Sequence, residues 1–214
     1  MNVTNKDMQL YAITDRYWLD GASLTEQVEQ VLKAGATFLQ LREKDLTHSQ
    51  MVEEARKIKE LTDKYKVPFV INDDIMAARE INADGVHIGQ SDMEYNKARE
   101  ILGPDKIIGI SAGTVEQAIQ AEKMGADYIG VGAVFHTGTK KDADSISRET
   151  LLAIATSVNI PIVAIGGITA ENMDYFKDTG IHGVAVISAI FGSKEPGRAT
   201  KELLQKTKEV FRYE

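Results

Sequence analysis

Residues 40–45 read QLREKD and follow an apolar stretch, AGATFL, at 34–39. In an extended chain successive side chains point to opposite faces, so Gln40, Arg42 and Lys44 are expected on one face and Leu39 and Leu41 on the other. Arg42 offers a planar fork to phosphate oxygens, and Lys44 a movable point charge. Lys140, in TGTKKDA (137–143), is a third such cation. Asp73, in VINDD (70–74), and Asp92, in GVHIGQSD (85–92), are hard oxygen donors. Mg2+ commonly uses one or two carboxylates together with substrate phosphates. AIGGIT (164–169) supplies glycine backbone, and VISAI (186–190) can start a short helix. Together these two suit a monophosphate cradled by backbone N–H groups.

Each residue also has a simpler reading. Lys140 and Lys141 are ordinary as a solvated pair. Asp73 suits a helix N-cap, and with Asp74 beside it one carboxylate can cap while the other binds metal. Asp92 reads equally as a cap or turn residue. Gly166 and Gly167 can serve close packing alone, and Ser188 can merely begin a helix. His87, between Val86 and Ile88, reads as a hydrogen-bonded interior residue rather than a base, since no carboxylate or nucleophile pattern accompanies it. Trp18 either covers a site or packs. No arrangement suggests zinc or a Ser-His-Asp triad.

What gives the polar residues weight is their position. A phrase recurs loosely: KAGATFLQL (33–41), INADGVHIG (81–89), KMGADYIGV (123–131) and DTGIHGVAV (178–186). In each, a helix is expected to end near a glycine or small residue and a short apolar strand to follow. The full pass gives eight candidate strands at 10–14, 37–42, 68–72, 85–89, 106–111, 128–134, 161–167 and 183–188. Amphipathic segments such as 24–35 and 51–65 separate most of them. Ser23 with Glu26, Thr47 with Gln50, and Thr114 with Gln117 have capping-box spacing. Segment 74–83 is short, so a tight third crossover is expected. The pattern predicts an α/β fold, a single (β/α)8 TIM barrel over residues 1–214. An open doubly wound sheet would carry a glycine-rich loop after its first strand, and TDRYWLDG (14–21) is not one. Barrel active sites form at the C-terminal strand ends, where nearly all the polar residues above fall.

The chain of 214 residues has a net charge of −7, which disfavours nucleic acid and anionic membrane as partners. It has no cysteine, hence no thiolate or disulfide chemistry. No apolar run is long enough to span a bilayer, and the polar start MNVTNKDMQL lacks the apolar core of a signal peptide. A cytoplasmic protein acting on small molecules, and able to form a homo-oligomer, is expected. A cation-rich, Mg2+-compatible site beside a monophosphate site suggests two phosphorylated ligands and displacement of pyrophosphate.

QLREKD, VINDD, ADGVHIGQSD, GIS, GADYIGVGAVF, TGTKKDA, PIVAIGGIT and GVAVISAI, with the opening LYAITDR, resemble the thiamine phosphate synthase family, in order and over nearly the whole chain. The resemblance implies a (β/α)8 barrel that couples hydroxymethylpyrimidine diphosphate to thiazole phosphate, with thiamine phosphate and pyrophosphate as products. By that resemblance Gln40, Leu41, Arg42, Glu43, Lys44 and Asn72 bind the pyrimidine diphosphate, and Arg42 and Lys44 face its phosphates. Asp73 and Asp92 are the implied Mg2+ ligands. Ser111 and Lys140 are implied diphosphate or pyrimidine contacts, with Arg42, Lys44 and Lys140 as the catalytic cations. Thr137, Gly138 and Thr139 are implied to touch the thiazole phosphate, and Gly167, Ile187 and Ser188 to cradle it. The chain departs from the family pattern at GAVFHTGT (132–139), where two prolines are missing, one of them replaced by His136; this leaves the loop backbone less restricted. A related thiazole tautomerase, a non-catalytic phosphate-ligand sensor and a sugar-phosphate epimerase are alternatives on the same barrel. The diphosphate-type cations and both aspartates favour the synthase.

Overall fold

The recurring phrase has a structural cause. In the computed structural model, which describes residues 3–19, 21, 23–90, 95–136 and 145–211, each copy is a left-handed residue, a buried apolar residue, then a polar residue just before an even-numbered strand. The left-handed positions are Gly35, Asn82, Gly125 and Gly180, with φ of 106°, 55°, 91° and 78°. Glycine reaches this region without a Cβ penalty, and asparagine is among the few other residues that visit it routinely. Ala36, Ala83, Ala126 and Ile181 follow and are buried. Thr37, Asp84, Asp127 and His182 come next, and each accepts the backbone N–H of the strand before: Leu10 at 2.9 Å, Phe69 at 2.9 Å, Ile108 at 2.8 Å and Ile162 at 3.0 Å. These four clips close the N-terminal end of the barrel, where a parallel strand's first donors would otherwise lack a partner.

The eight strands are β1 (Leu10–Ile13), β2 (Phe38–Leu41), β3 (Phe69–Asn72), β4 (Gly85–Ile88), β5 (Ile107–Ala112), β6 (Tyr128–Val131), β7 (Ile162–Ile165) and β8 (Gly183–Val186). They pair in sequence order, all parallel, into a closed barrel. Closure is made by Leu10, Tyr11 and Ala12 opposite Val184, Ala185 and Val186. All eight expected strands are present, most with tighter bounds than the sequence suggested.

Helices α1 (Leu24–Ala34), α2 (His48–Tyr65), α3 (Ile75–Glu80), α4 (Tyr95–Leu102), α5 (Val115–Met124), α6 (Arg148–Ser157), α7 (Ser188–Phe191) and α8 (Pro196–Val210) accompany the strands. Capping boxes at Ser23–Glu26 and Thr47–Gln50 are complete. The third is only half formed: Thr114 accepts from the Gln117 N–H, but the Gln117 carbonyl takes the Gly113 N–H at 2.7 Å instead. The third crossover is the expected short one, α3. Between β7 and β8 the described connection is a 3-10 turn, Met173–Phe176, rather than an α-helix. No helix among the described residues is long and apolar enough to cross a membrane.

Alternation along the strands divides the core in two. Leu10, Ala12, Leu39, Leu41, Phe69 and Ile71 belong to the large layer between sheet and helices. Tyr11, Ile13, Phe38, Val70, Ile107, Tyr128, Val163 and Ala185, with Met8, fill the barrel interior.

Among the four clips His182 alone is titratable near neutrality. Burial lowers its pKa, so its contribution to stability is present above the unfolded value of about 6.5 and is lost as pH falls below that, with a slope of at most about 1.4 kcal/mol per pH unit. His182→Asp, which places there the residue type used at 84 and 127, is expected to flatten the loss between pH 7 and 5.5. Urea unfolding of both proteins across that range measures it.

Candidate active site

At the C-terminal rim the interior opens into a cleft. Strands β2 to β5 contribute Gln40, Arg42, Asn72, His87 and Ser111; the ends of β7 and β8 contribute Gly166, Gly167, Ile187 and Ser188. Its apolar lining includes Ile13, Val163, Ile165, Ile168 and Ala185.

Arg42 stands just beyond β2, where its N–H donates to Thr14 Oγ1 at 2.9 Å. Gln40, buried, donates through Nε2 to the Tyr11 hydroxyl. The alternation expected for QLREK holds for Gln40 and Arg42 but not for Lys44. The strand ends at Leu41, and Lys44 is an exposed residue in a bend that does not line the cleft. The Leu41 side chain is buried in the outer layer, so it cannot face a ligand. Glu43 is committed elsewhere. Its side chain is 5% exposed and accepts from Arg16 Nε at 3.1 Å, while Arg16 also lies 3.6 Å from Glu54. Burial raises the Glu43 pKa, and the Arg16 hydrogen bond opposes that rise. This pair ties the rim loop after β1 to the loop after β2.

Asp73 and Asp74 divide their duties. Asp74 caps α3, accepting from the Ala77 N–H at 2.8 Å. Asp73 has φ of 64° and donates its N–H to the His87 carbonyl at 3.0 Å. Its carboxylate accepts from the Asn72 side-chain amide. Among the described residues no group of three or more His, Cys, Asp or Glu gathers as a metal site. Asp92, Thr137, Gly138, Thr139 and Lys140 lie outside the described residues.

The glycine pair after β7 is held tightly. Gly166 and Gly167 have φ of 105° and 61°. Their carbonyls accept from Phe135 N at 3.1 Å and Asn172 Nδ2 at 2.8 Å, and Asn172 also accepts from the Thr169 N–H at 2.9 Å. The N–H groups of Gly167 and Ile168 have no partner among the described residues, which leaves two donors at the cleft for an anion. The expected short helix after β8 is α7, with Ile187 and Ser188 on the cleft.

Sequence reasoning missed Tyr11, Tyr128 and Asn172. Tyr11 alternates with Leu10 and Ala12 and shares its face with Ile13, so period-two spacing alone puts it inside. Nothing in the sequence marks Asn172.

A closed parallel barrel with its polar side chains gathered at the C-terminal rim is the architecture of a TIM-barrel enzyme. The thiamine monophosphate synthase family profile matches residues 10–190. The chain is 49% identical over 203 residues to a thiamine-phosphate synthase from Clostridium tetani, covering 95% of this chain and 97% of that one. A Clostridium novyi thiamine-phosphate synthase is 53% identical, over 91% of this chain and 96% of its own. The solved thiamine phosphate pyrophosphorylase from Pyrococcus furiosus superposes with a TM-score of 0.90 at 40% identity, covering 97% of this chain and 99% of that one. The chain belongs to the thiamine monophosphate synthase family and is an enzyme, a transferase of thiamine biosynthesis.

A methyl at Gly167 would combine left-handed backbone with contacts of 2.6 Å to the His136 carbonyl and 2.8 Å to Phe135 Cβ. At Gly103, φ is 89° and a Cβ would meet nothing within 4 Å. Gly167→Ala is therefore expected to cost about 2–4 kcal/mol in urea unfolding, against about 1–2 kcal/mol for Gly103→Ala.

Proposed function

We propose that this enzyme joins 4-amino-2-methyl-5-hydroxymethylpyrimidine diphosphate to 4-methyl-5-(2-hydroxyethyl)thiazole phosphate, giving thiamine phosphate and pyrophosphate. The observation that carries the reading is convergence. In a chain about half identical to thiamine-phosphate synthases, Arg42, Asn72 and Ser111 come from three different strands to the same cleft as the backbone of Gly167 and Ser188.

Arg42, Gln40, Asn72 and Ser111 hold the pyrimidine diphosphate in this reading. The cradle of Gly167, Ile187 and Ser188 holds the thiazole phosphate, and the family resemblance assigns Thr137, Gly138 and Thr139 to the same phosphate. The C–O bond to the diphosphate breaks first. Its electron pair leaves with pyrophosphate, and the aminopyrimidine stabilises the methylene cation left behind. The thiazole nitrogen then donates its lone pair to that carbon. The enzyme's part is to align the two partners and to receive the departing charge. Arg42 and Lys140 serve the second task; Lys44, exposed and outside the cleft lining, reaches a ligand only by swinging over the rim.

Mg2+ suits the donors: Asp74 is engaged as a cap, while Asp73 follows the cleft residue Asn72 directly, and two carboxylates with ligand phosphate oxygens make a typical hard-oxygen set. Asp73 and Asp92 would hold the ion, which when bound supplies positive charge to the leaving diphosphate.

Mixing both substrates with Mg2+ and measuring pyrophosphate tests the reaction. A tautomerase or a ligand sensor would release none. Lys140→Ala is expected to lower kcat about 100-fold or more with little change in thiazole phosphate KM. A raised thiazole phosphate KM at unchanged kcat would count against its assigned role.

A further inference from the structure

A chain of side-chain hydrogen bonds runs along the floor of the cleft, and the orientation of the Gln40 amide decides its direction. Gln40 Nε2 donates to the Tyr11 oxygen. The Tyr11 and Tyr128 hydroxyls are 2.8 Å apart. Tyr128 lies 3.0 Å from His87 Nδ1, and His87 Nε2 lies 3.0 Å from Ser111 Oγ. Two glycines make room for the rings. A Cβ at Gly109 would sit 2.1 Å from Tyr128 Cζ, and one at Gly130 would sit 3.2 Å from His87 Cε1.

We propose that His87 is a positioning residue whose tautomer is set from Gln40 through the two tyrosines, so that Ser111 presents its hydroxyl proton to the ligand. Each phenol has one proton to give, and burial keeps both protonated well above neutrality. Tyr11 accepts from Gln40, so its own proton goes to Tyr128. Tyr128 in turn donates to His87 Nδ1. A neutral imidazole has one N–H, which then resides on Nε2 and points at Ser111 Oγ. Ser111 accepts there, and its O–H is left for an acceptor atom of the bound molecule, a ring nitrogen or a phosphate oxygen. A reversed Gln40 amide would run every bond the other way and make Ser111 spend its proton on His87. The ligand's identity rests on the reaction proposed above; the tautomer does not.

The test is 15N NMR of the full chain labelled at histidine, without ligand. Wild-type His87 is expected to carry its proton on Nε2, with Nδ1 in the unprotonated range. Tyr11→Phe and Gln40→Leu cut the chain at different points, and each should move His87 to a mixture of the two tautomers. Tyr11→Phe should also raise the KM for the pyrimidine diphosphate about tenfold, the size expected for one misdirected hydrogen bond. A wild-type proton on Nδ1 overturns the proposal, and so does an unchanged His87 pattern in either variant. The expected tautomers in a protein that releases no pyrophosphate would refute the reaction and leave the relay standing.

Discussion

The pair of tyrosine hydroxyls at the centre of the barrel is the contact on which the rest of the interior depends. A closed parallel sheet must fill its own lumen with side chains from every strand. Around Tyr11 and Tyr128 that filling is mostly apolar, with Met8, Phe38, Val70, Ile107 and Val163 in the same cluster. Above them it gives way to a cleft. The two phenols sit at this boundary, where their rings pack on Phe38 with centroids 4.7 and 5.5 Å away and their oxygens answer each other. A buried hydroxyl without a partner would cost about 1–3 kcal/mol, so each oxygen restricts its neighbours. Gln40 and His87 each share a hydrogen bond with this pair, and Ser111 joins it through His87.

The two ends of the barrel obey different rules as a result. At the N-terminal end, strand donors are matched by the residue before the next strand, and the polar groups are spent on structure. At the C-terminal end, short strands stop early and pass into loops tied by side chains: Thr14 to Arg42, Arg16 to Glu43, Asn172 to Gly167 and Thr169. These ties position the rim while leaving Arg42, Ser111 and the N–H groups of Gly167 and Ile168 turned to the cleft. Rigidity below and selectively unspent donors above are the division that barrel enzymes exploit.

The barrel was legible because its signals are local. Short β-rich runs, glycines after helices and capping residues at the right spacing depend on a few consecutive residues, and their order names the fold. Gln40, Arg42, Asn72 and Ser111 were legible for the same reason: each lies at or near a strand's C-terminal end. Lys44 leaves the face that alternation predicts because β2 ends at Leu41 and the backbone then bends. Glu43 reads as a rim charge in sequence but finds Arg16, twenty-seven positions away, and no local pattern announces that pairing. Tyr128 and His87 meet across three strands, again invisible to periodicity. The half-formed box at Thr114 shows the limit at the smallest scale: the spacing was right, yet a neighbouring donor at Gly113 won the Gln117 carbonyl.

The four clips have an implication for how such a chain can be rearranged. Each one joins an odd strand to the even strand that follows it, never across the other junctions. The barrel is thereby a ring of four two-strand modules, each sealed by its own residue. Fresh chain ends opened between α2 and β3 would fall at a module seam and leave every seal inside an unbroken segment, whereas an opening between β3 and β4 would separate a seal from the strand it serves. Transplanting whole modules between related barrels should follow the same seams.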